Sequence, residues 1–361
     1  MPKGVVKLAD VAKAAGVSQG TASNVFSRPE VVREEVRERV LATAKELGYT
    51  GPDPKGRLLR AGKVNAIGVA TAEPLSYFFE DPFARVVMEG ITEVCDANGA
   101  GISLVSAMND EKLAWNIQSA LVDGFILFCV EGGPRLVELT RERQLPFVAL
   151  ELGINDPSIS AIGVDNLEGA KVAARHMVGL GHRRYGVLAM PFFDDRSGPV
   201  PFAEVPTAIY SDSRSRVAGY FEVLRDHGID TDSIPIYETK GEEQTAREAV
   251  DYLFSLPEPP TAIFAMSDRL ALAAIERLQE KGMRVPQDVS VIGFDGIPEA
   301  AFCDPPLTTM AQPIAEIGRQ AVKAILEDDG QVRRVTLPVE LIVRGTTAAP
   351  PAAERVRRAG N

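Results

Sequence analysis

A short polar helix near the amino terminus carries the side chains best suited to contact a nucleic acid. Between Ser18 and Phe26 the apolar residues Ala22 and Val25 share one face. The positions that point elsewhere are Gln19, Gly20, Ser23 and Asn24. A polar second helix after a turn containing glycine, here Gly16, is the arrangement that lays a recognition helix in the major groove of DNA. Three-helix patterns of this kind also occur in plain structural bundles, which is the alternative interpretation.

Three aspartates mark a second region capable of chemistry. Asp165 ends the apolar run AIGVD, Asp295 ends VSVIGFD, and Asp268 opens a helical stretch that it could cap. Carboxylates in such places can act as the acid or base of an α/β enzyme, or accept hydrogen bonds from a ligand. No set of nucleophile, base and orienting residue accompanies them, so we expect binding and not catalysis.

The charge of the chain is divided unevenly. The 361 residues carry a net charge of −11, yet residues 1–63 hold 12 Lys and Arg against 7 Asp and Glu, a net charge of +5. The rest therefore carries −16. A basic head on an acidic body suits a protein that places one end on phosphates.

Composition also limits the class of protein. The three cysteines (Cys95, Cys129, Cys303) are widely spaced, which favours neither a disulfide framework nor a zinc site. No stretch approaches the roughly 20 apolar residues that span a bilayer, so we expect a cytoplasmic protein without a membrane partner. Neither a G-x-G-x-x-G turn nor a Walker-type loop follows a strand, and no cofactor is predicted.

The elements that must position these residues form two series. From Val64 onward, apolar runs such as GFILFCV alternate with amphipathic helical stretches, and a second series follows from YGVLAM to VSVIGFD. Continuous apolar strands between helices indicate parallel sheets covered on both faces, and two series predict two lobes. Parallel sheets bind ligands at the carboxyl ends of their strands, here in a cleft between the lobes.

A resemblance makes the amino-terminal pattern specific. The run LADVAKAAGVSQGTASNVFS, with VREEVRERVLATAKELGY after it, resembles the DNA-binding head of the LacI/GalR (lactose-repressor) family. The resemblance implies that Gln19, Gly20 and Asn24 address base edges, and that Ser18, Thr21 and Ser23 bind phosphate or cap the helix. Many relatives have arginine where Asn24 stands, and an asparagine favours adenine.

The linker between head and body has its own expectation. Asp53 and Pro54 mark the start, and Gly62 the end, of a predicted helix of about eight residues. A helix this short would be only marginally stable on its own. By the resemblance it folds in the minor groove of an operator, where Leu59, or alternatively Leu58, wedges between base pairs while Lys55 and Arg57 contact phosphates. An ordinary basic, solvated linker is the alternative.

The resemblance extends through the body to about residue 347, where several segments are similar to the periplasmic sugar-binding fold. It implies that Phe83 stacks on an effector and that Arg216 and Asp295 bind it, although Phe83 could be core and the other two could simply pair. Ser267 stands where several sugar-responsive relatives have asparagine. The predicted effector contacts are Phe83, Phe79, Asp165, Arg216, Ser267, Asp268 and Asp295.

These observations predict an all-α helix-turn-helix head (1–50), a linker (51–63), a two-lobed α/β effector domain (64–347) and a disordered tail (348–361). The first lobe is expected at 64–162 plus 296–326, and the second at 163–295 plus 327–347. A Pro-rich, acidic insertion at 192–207 has no assigned role.

The predicted function is that of a homodimeric transcriptional repressor on a pseudo-palindromic operator. A small molecule between the lobes, with a sugar or sugar derivative favoured, would control it allosterically. The competing interpretation is the solute-binding protein of a transporter, which shares the two-lobed body but needs an export signal.

Overall fold

A computed structural model describes residues 6–51, 63–108, 110–128, 134–150 and 156–351. The predicted linker helix from Asp53 to Gly62, with Lys55, Arg57, Leu58 and Leu59, lies outside the described residues. The chain divides into two compact units, 1–64 and 65–361.

Three short helices pack around small apolar residues in the head. They are α1 (Leu8–Ala14), α2 (Gln19–Ser27) and α3 (Glu34–Leu47). The buried residues are Val11, Ala12, Ala15, Ala22, Val25, Val40 and Ala44. Gly16 adopts the left-handed conformation (φ +66°) between α1 and α2, as the sequence predicts.

The end of α3 differs from expectation. The apolar stripe Val36, Val40, Ala44 and Leu47 predicts that Leu47 closes the core of the head, but its side chain is 39% exposed. The helix ends at Gly48 (φ +72°), and the reversal brings Tyr49 against Phe26, with ring centroids 5.5 Å apart. The aromatic residue beyond the cap therefore takes the place expected of the leucine.

The first lobe of the body is built on an all-parallel six-stranded sheet. In spatial order its strands are β12 (Arg334–Leu337), β5 (Ser160–Val164), β4 (Phe147–Ala149), β3 (Gly124–Phe128), β1 (Ala66–Thr71) and β2 (Gly101–Ser106). Its helices are α4 (Tyr77–Glu80), α5 (Pro82–Asn98), α6 (Asp110–Ser119), α7 (Pro134–Glu142) and α12 (Ile314–Leu326). The central strand β3 is buried along its whole length.

The second lobe has a seven-stranded sheet whose five central strands are parallel. In spatial order the strands are β13 (Glu340–Ile342), β11 (Thr308–Ala311), β10 (Ser290–Asp295), β9 (Ala262–Ala265), β6 (Tyr185–Ala189), β8 (Ile236–Glu238) and β7 (Gly198–Pro199). The edge strands β13 and β7 are antiparallel to their neighbours. Its helices are α8 (Asn166–Leu180), α9 (Ser211–Asp226), α10 (Glu243–Ser255) and α11 (Asp268–Glu280).

Two crossings between the lobes differ from the predicted assignment. Strand β11, expected in the first lobe, pairs with β10 of the second, and β12, expected in the second, pairs with β5 of the first. The chain therefore changes lobe between β11 and α12, and again between β12 and β13. Strand β12 forms an edge of the first sheet beside β5, which lies much earlier in the chain, whereas β11 lies between β13 and β10 in the second sheet. Local periodicity does not encode which sheet a strand joins.

The carboxyl-terminal segment also corrects an expectation. Residues 348–350, predicted to begin a disordered tail, lie against the second lobe. The Ala348 amide donates to Ser290 Oγ (3.0 Å), and the Ala348 carbonyl lies 2.9 Å from Nε2 of the buried His182. Pro350 is buried. Contacts with residues 58 and 166 positions earlier order this segment despite its Pro- and Ala-rich composition.

None of the described helices is long and apolar enough to cross a membrane.

Candidate functional site

The amino-terminal turn of α2 presents the predicted DNA-reading residues. Ser18 caps the helix, because its Oγ accepts a hydrogen bond from the Thr21 amide (3.0 Å) and lies 2.8 Å from the Thr21 hydroxyl. Gln19, Gly20 and Asn24 are exposed, and Thr21 and Ser23 are half-buried. An added Cβ at Gly20 would meet only Ser18 Oγ, at 3.7 Å. The base-reading candidates are thus free of any role in the core of the head.

In the second lobe, a buried arginine holds several polar groups together. Arg216 on α9 is 4% exposed, and its Nε donates to Asn166 Oδ1 on α8 (2.8 Å). Its Nη1 donates to the Met266 carbonyl at the end of β9. The guanidinium carbon lies 3.7 Å from the centroid of the Phe294 ring, a cation–π contact. Arg216 therefore joins two helices to the carboxyl ends of two strands.

Asp295 completes this cluster at the end of β10. Its Oδ1 lies 3.8 Å from Arg216 Nη1 and accepts from Gln312 Nε2 (2.9 Å). Burial raises the pKa of Asp295 well above its usual value, with Arg216 opposing the shift and the Asp268 carboxylate adding to it. The Asp295 backbone has φ +133°, which non-glycine residues rarely adopt, and such strain concentrates at functional sites.

Asp268 does not cap α11 as predicted. Ser267 is the cap, and its Oγ accepts from the Leu270 amide (3.2 Å). Asp268 is fully buried; its Oδ2 accepts from the amides of Gly296 and Ile297, and its Oδ1 from the Thr309 hydroxyl (2.5 Å). Burial raises the pKa of Asp268 to about 6, although these hydrogen bonds oppose the shift. Asp268 thus braces the turn after Asp295 and is not exposed to a ligand.

Two predicted contacts lie where the lobes meet. Asp165 is exposed and caps α8 through the Glu168 amide (2.9 Å), one residue before the Asn166 that binds Arg216. Phe83 is half-buried in the first turn of α5, which Asp81 caps through the Ala84 amide (3.0 Å). Across the cleft, Arg269 Nη1 of α11 lies 3.5 Å from Asp81 Oδ2. This ion pair brings the start of α5 to the start of α11.

Phe79 lies apart from this group. Its side chain is 68% exposed and lines a groove of about 370 Å³ together with Met88, Ile102 and Leu104. That groove follows α5 and the edge strand β2, not the cleft. The neighbouring Phe78 is the core member of the aromatic run, packed edge-on against Phe128 at 5.2 Å. The structure therefore does not place Phe79 with the other effector candidates.

Several residues of the cluster escaped prediction, namely Asn166, Phe294, Thr309 and Gln312. Asn166 and Phe294 adjoin predicted aspartates, so their position beside a strand end was the available signal. Thr309 and Gln312 come from β11 and its end, which the sequence assigned to the other lobe. Assigning β11 to the second lobe would have identified Thr309 and Gln312 as members of the cluster.

Comparisons with known proteins match this arrangement. Residues 7–51 fit the model of bacterial regulatory proteins of the lacI family, and residues 174–347 that of the periplasmic binding protein-like domain. An HTH-type transcriptional regulator of Mycobacterium tuberculosis is 36% identical over 97% of this chain and 99% of its own. The lac repressor dimer bound to operator and the anti-inducer ONPF superposes with a TM-score of 0.75 at 26% identity, covering 95% of this chain and 99% of that one. A CelR–cellobiose complex gives 0.68 at 26% identity, with coverages of 94% and 99%.

The fold and its two candidate sites define a DNA-binding regulator with a periplasmic-binding-protein-like effector domain. The chain belongs to the LacI family of bacterial transcriptional regulators. Proteins of this family bind operator DNA and small-molecule effectors and act as dimers. Its relatives are regulators and not enzymes.

Proposed function

We propose that this chain is a cytoplasmic homodimeric repressor without enzymatic activity, whose operator affinity depends on a small molecule bound at the cluster around Arg216 and Asp295. The observation that carries the proposal is that cluster. Buried charged groups converge at the carboxyl ends of β9 and β10, where open α/β sheets bind ligands. Arg216 also donates to Asn166, which lies where the chain passes from the first lobe to the second. A ligand that binds there also affects the relative position of the lobes.

The favoured effector is a sugar or sugar derivative, which the sequence resemblance implies and which the cellobiose complex of a structural relative supports. Carboxylate and guanidinium groups can accept from and donate to sugar hydroxyls. Arg216, Asp295, Phe83 and Asp165 are the proposed contacts, with Ser267 and Asp268 holding the surrounding backbone.

At the other end, Gln19 and Asn24 are the proposed base-reading residues, with Gly20 allowing close approach and with Ser18, Thr21 and Ser23 at the backbone. Two heads related by dimer symmetry would occupy two half-sites. In the proposed linker, Leu59, or Leu58, enters the minor groove and Lys55 and Arg57 contact phosphates. Linkage between cleft and operator then requires only that the effector bind one lobe arrangement better than another.

Selection of operator DNA from a random duplex library by the full-length protein, followed by footprinting, tests the proposal. We expect a pseudo-palindromic site with half-sites about one helical turn apart. Asn24→Ala should weaken binding to it by about 1–3 kcal/mol, since one bidentate base contact is lost. Thr43→Ala on α3, whose hydroxyl already donates to the Arg39 carbonyl (2.9 Å), is the matched control. An asymmetric footprint, or equal effects of the two substitutions, would contradict the assignment.

A further inference from the structure

Helix α5 connects the cleft with the residue at which the second compact unit begins. It runs from Pro82 to Asn98, and 17 residues of α-helix extend about 26 Å. Its amino-terminal end contacts the second lobe, and its carboxyl-terminal end contacts Asn65, the first residue of that unit. A single helix therefore contacts both places between which an effector signal must pass.

Two ion pairs of opposite polarity attach the amino-terminal end of α5 to the second lobe. Asp81 caps α5 through Oδ1, which accepts from the Ala84 amide (3.0 Å), while its Oδ2 lies 3.5 Å from Arg269 Nη1. One turn later, Arg85 donates to the Glu299 carboxylate. The pairs Asp81–Arg269 and Arg85–Glu299 form the α5 clasp. Because one helix supplies a carboxylate and a guanidinium, the clasp is complete only when both segments of the second lobe lie against α5.

The first of these segments is bound to the effector cluster. Arg269 follows Asp268 in the first turn of α11. The Asp268 amide donates to Asp295 Oδ2 (3.3 Å), and Asp295 Oδ1 lies 3.8 Å from Arg216 Nη1. The backbone that carries Arg269 is therefore hydrogen-bonded to a carboxylate of the cluster.

The second segment is bound to the same cluster by another route. Glu299 lies in the 3-10 helix Pro298–Ala301, four residues after Asp295. The turn between them is held by Asp268, whose Oδ2 accepts from the two amides that follow Asp295 (2.7 and 3.0 Å). Both second-lobe partners of the clasp are therefore fixed to the same two aspartates.

Two glycines bring the backbone of α5 against that of α12. An added Cβ at Gly90 would overlap the Ala315 carbonyl, and one at Gly318 would overlap the Val87 carbonyl. Close-packed interiors deform little and transmit strain. A displacement of the amino-terminal end of α5 is therefore passed along the helix.

The carboxyl-terminal end of α5 holds a residue that lies two positions beyond the predicted linker (51–63). Gly99 ends the helix with φ +64°, and its carbonyl accepts from Asn65 Nδ2 (2.8 Å). The Gly101 amide donates to the Asn65 carbonyl (2.8 Å), and the Asn65 amide donates to Asp123 Oδ2 (2.7 Å). Asn65 has φ +63°, a left-handed conformation that asparagine adopts more readily than most residues. The backbone at Asn65 is therefore set by its contacts with the end of α5.

We propose that α5 carries the effector signal, because the clasp attaches one end of it to the segments after Asp268 and Asp295 and Asn65 attaches the other end to the linker. This inference rests on the proposed function, since the signal starts with an effector at the cluster. Both pairs of the clasp are partly exposed, and exposed ion pairs are individually weak. The clasp can therefore open and close within the coupling free energy of an allosteric protein. The four clasp residues are positioning residues that act through α5.

Charge reversal in the Arg85–Glu299 pair tests the clasp without any effector. Affinity of the full-length protein for the selected operator is measured for Arg85→Glu, for Glu299→Arg and for the double variant. Each single reversal should change the affinity at least fivefold, and the double variant should return to within twofold of the wild type. Glu89→Arg, at an exposed position of the same helix, is the control for added positive charge and should change the affinity less than twofold. Smaller effects of the single reversals, or a double variant that is not restored, overturn the proposal.

The other pair of the clasp provides an independent variant, because Arg85 also lines the groove beside α5. Arg269→Gln opens the pair with Asp81 and leaves the cap of α5 intact. It should change operator affinity at least twofold and in the same direction as Arg85→Glu, with light scattering confirming an unchanged molar mass. A smaller change, or one in the opposite direction, overturns the proposal.

A double-mutant cycle between the two ends of α5 tests the transmission. Asn65→Gly removes the side chain that binds the Gly99 carbonyl, and glycine accepts the left-handed backbone without strain. In this background, Arg85→Glu should change operator affinity less than twofold. Asn116→Ala is the matched background, because it removes a comparable bond to the Ser106 carbonyl (2.9 Å) in the same lobe, and the full effect of Arg85→Glu should persist there. An equal effect of Arg85→Glu in both backgrounds overturns the role of α5.

Thermal unfolding with ribose and cellobiose, and operator binding in their presence, test the proposed function separately. A non-additive cycle without stabilisation by either sugar would contradict a response to these sugars and still support the role of α5. An additive cycle in a protein whose operator binding responds to a sugar would overturn only this inference.

Discussion

The head and the second lobe use their polar residues in opposite ways. In the head, Gln19, Gly20 and Asn24 are exposed and the core is made of other residues. In the second lobe, Arg216, Asp268 and Asp295 are at most 7% exposed and are bound to one another or to neighbouring backbone. Recognition and folding are thus separable in the head but share the same residues in the lobe.

This difference follows from what each region binds. DNA is contacted at the protein surface, so the side chains that contact its bases must project from that surface. A small ligand is enclosed, so the groups that bind it are desolvated and need partners when the ligand is absent. Substitutions should therefore alter binding alone in the head, and binding together with stability in the lobe.

The largest expected contrast is between Arg216→Met and Gln19→Ala. Removing Arg216 leaves the Asp295 carboxylate buried without its cation, which should cost about 3–5 kcal/mol of unfolding free energy. Gln19→Ala should change stability by less than about 0.5 kcal/mol, as at other exposed sites. Urea unfolding of both variants measures this. Similar stabilities would remove the distinction between the two regions.

Two helical glycines extend the contrast to packing. A Cβ at Gly90 on α5 would lie 1.9 Å from the Ala315 carbonyl oxygen on α12, so Gly90→Ala should cost about 3 kcal/mol. Gly20 on α2 has open space, and Gly20→Ala should stabilise the head by about 0.5–1 kcal/mol through helix propensity. Unfolding midpoints of the two variants test both expectations. A destabilised Gly20→Ala would show that position 20 has no room for a side chain.

The pH dependence of stability should reveal the buried aspartate. Because the pKa of Asp268 is raised to about 6 from the ordinary aspartate value of 3.8, the folded protein holds this proton more tightly than the unfolded chain does. Its contribution is fully present below pH 3.8 and is lost as the pH rises through about 6. The loss amounts to about 2–3 kcal/mol. Wild type should therefore lose stability relative to Asp268→Asn as the pH rises from 4 to 6.5, and the difference between the two should stay constant at higher pH. A constant difference from pH 4 to 6.5 would contradict the raised pKa.

The smallest of these contrasts is expected at the cap of the recognition helix. Ser18→Ala removes the acceptor for the Thr21 amide and should lower head stability by about 1 kcal/mol. Hydrogen exchange at α2 amides in the full-length protein reports this locally. Ser27→Ala is the control, because the Ser27 hydroxyl donates only to the Ser23 carbonyl within α2. Exchange that is equally fast in both variants would show that the cap is not the cause.

Local patterns predicted most elements but not their partners. The amphipathic stretch from Phe83 to Asn98 predicts a helix, and the structure has one at Pro82–Asn98, because apolar spacing and the turn at Gly99 are encoded locally. The lobes of β11 and β12 were predicted wrongly: β11 stays beside the preceding strand β10, and β12 pairs with β5, far earlier in the chain. Local spacing does not distinguish these choices. Ser267 and Asp268 are both good capping residues, and only the position of Thr309 and of the Gly296 amide separates their roles. In the head, exposed polar positions followed directly from the helical period.

The central claim, that cleft and operator are coupled, is tested most directly by measuring operator affinity of the full-length protein with and without a saturating compound found by thermal shift. Fluorescence anisotropy on the selected operator should show a change of about 5–150-fold, and operator DNA should change the affinity for the compound by the same factor. The same operator affinity with the cleft empty and filled would contradict the account.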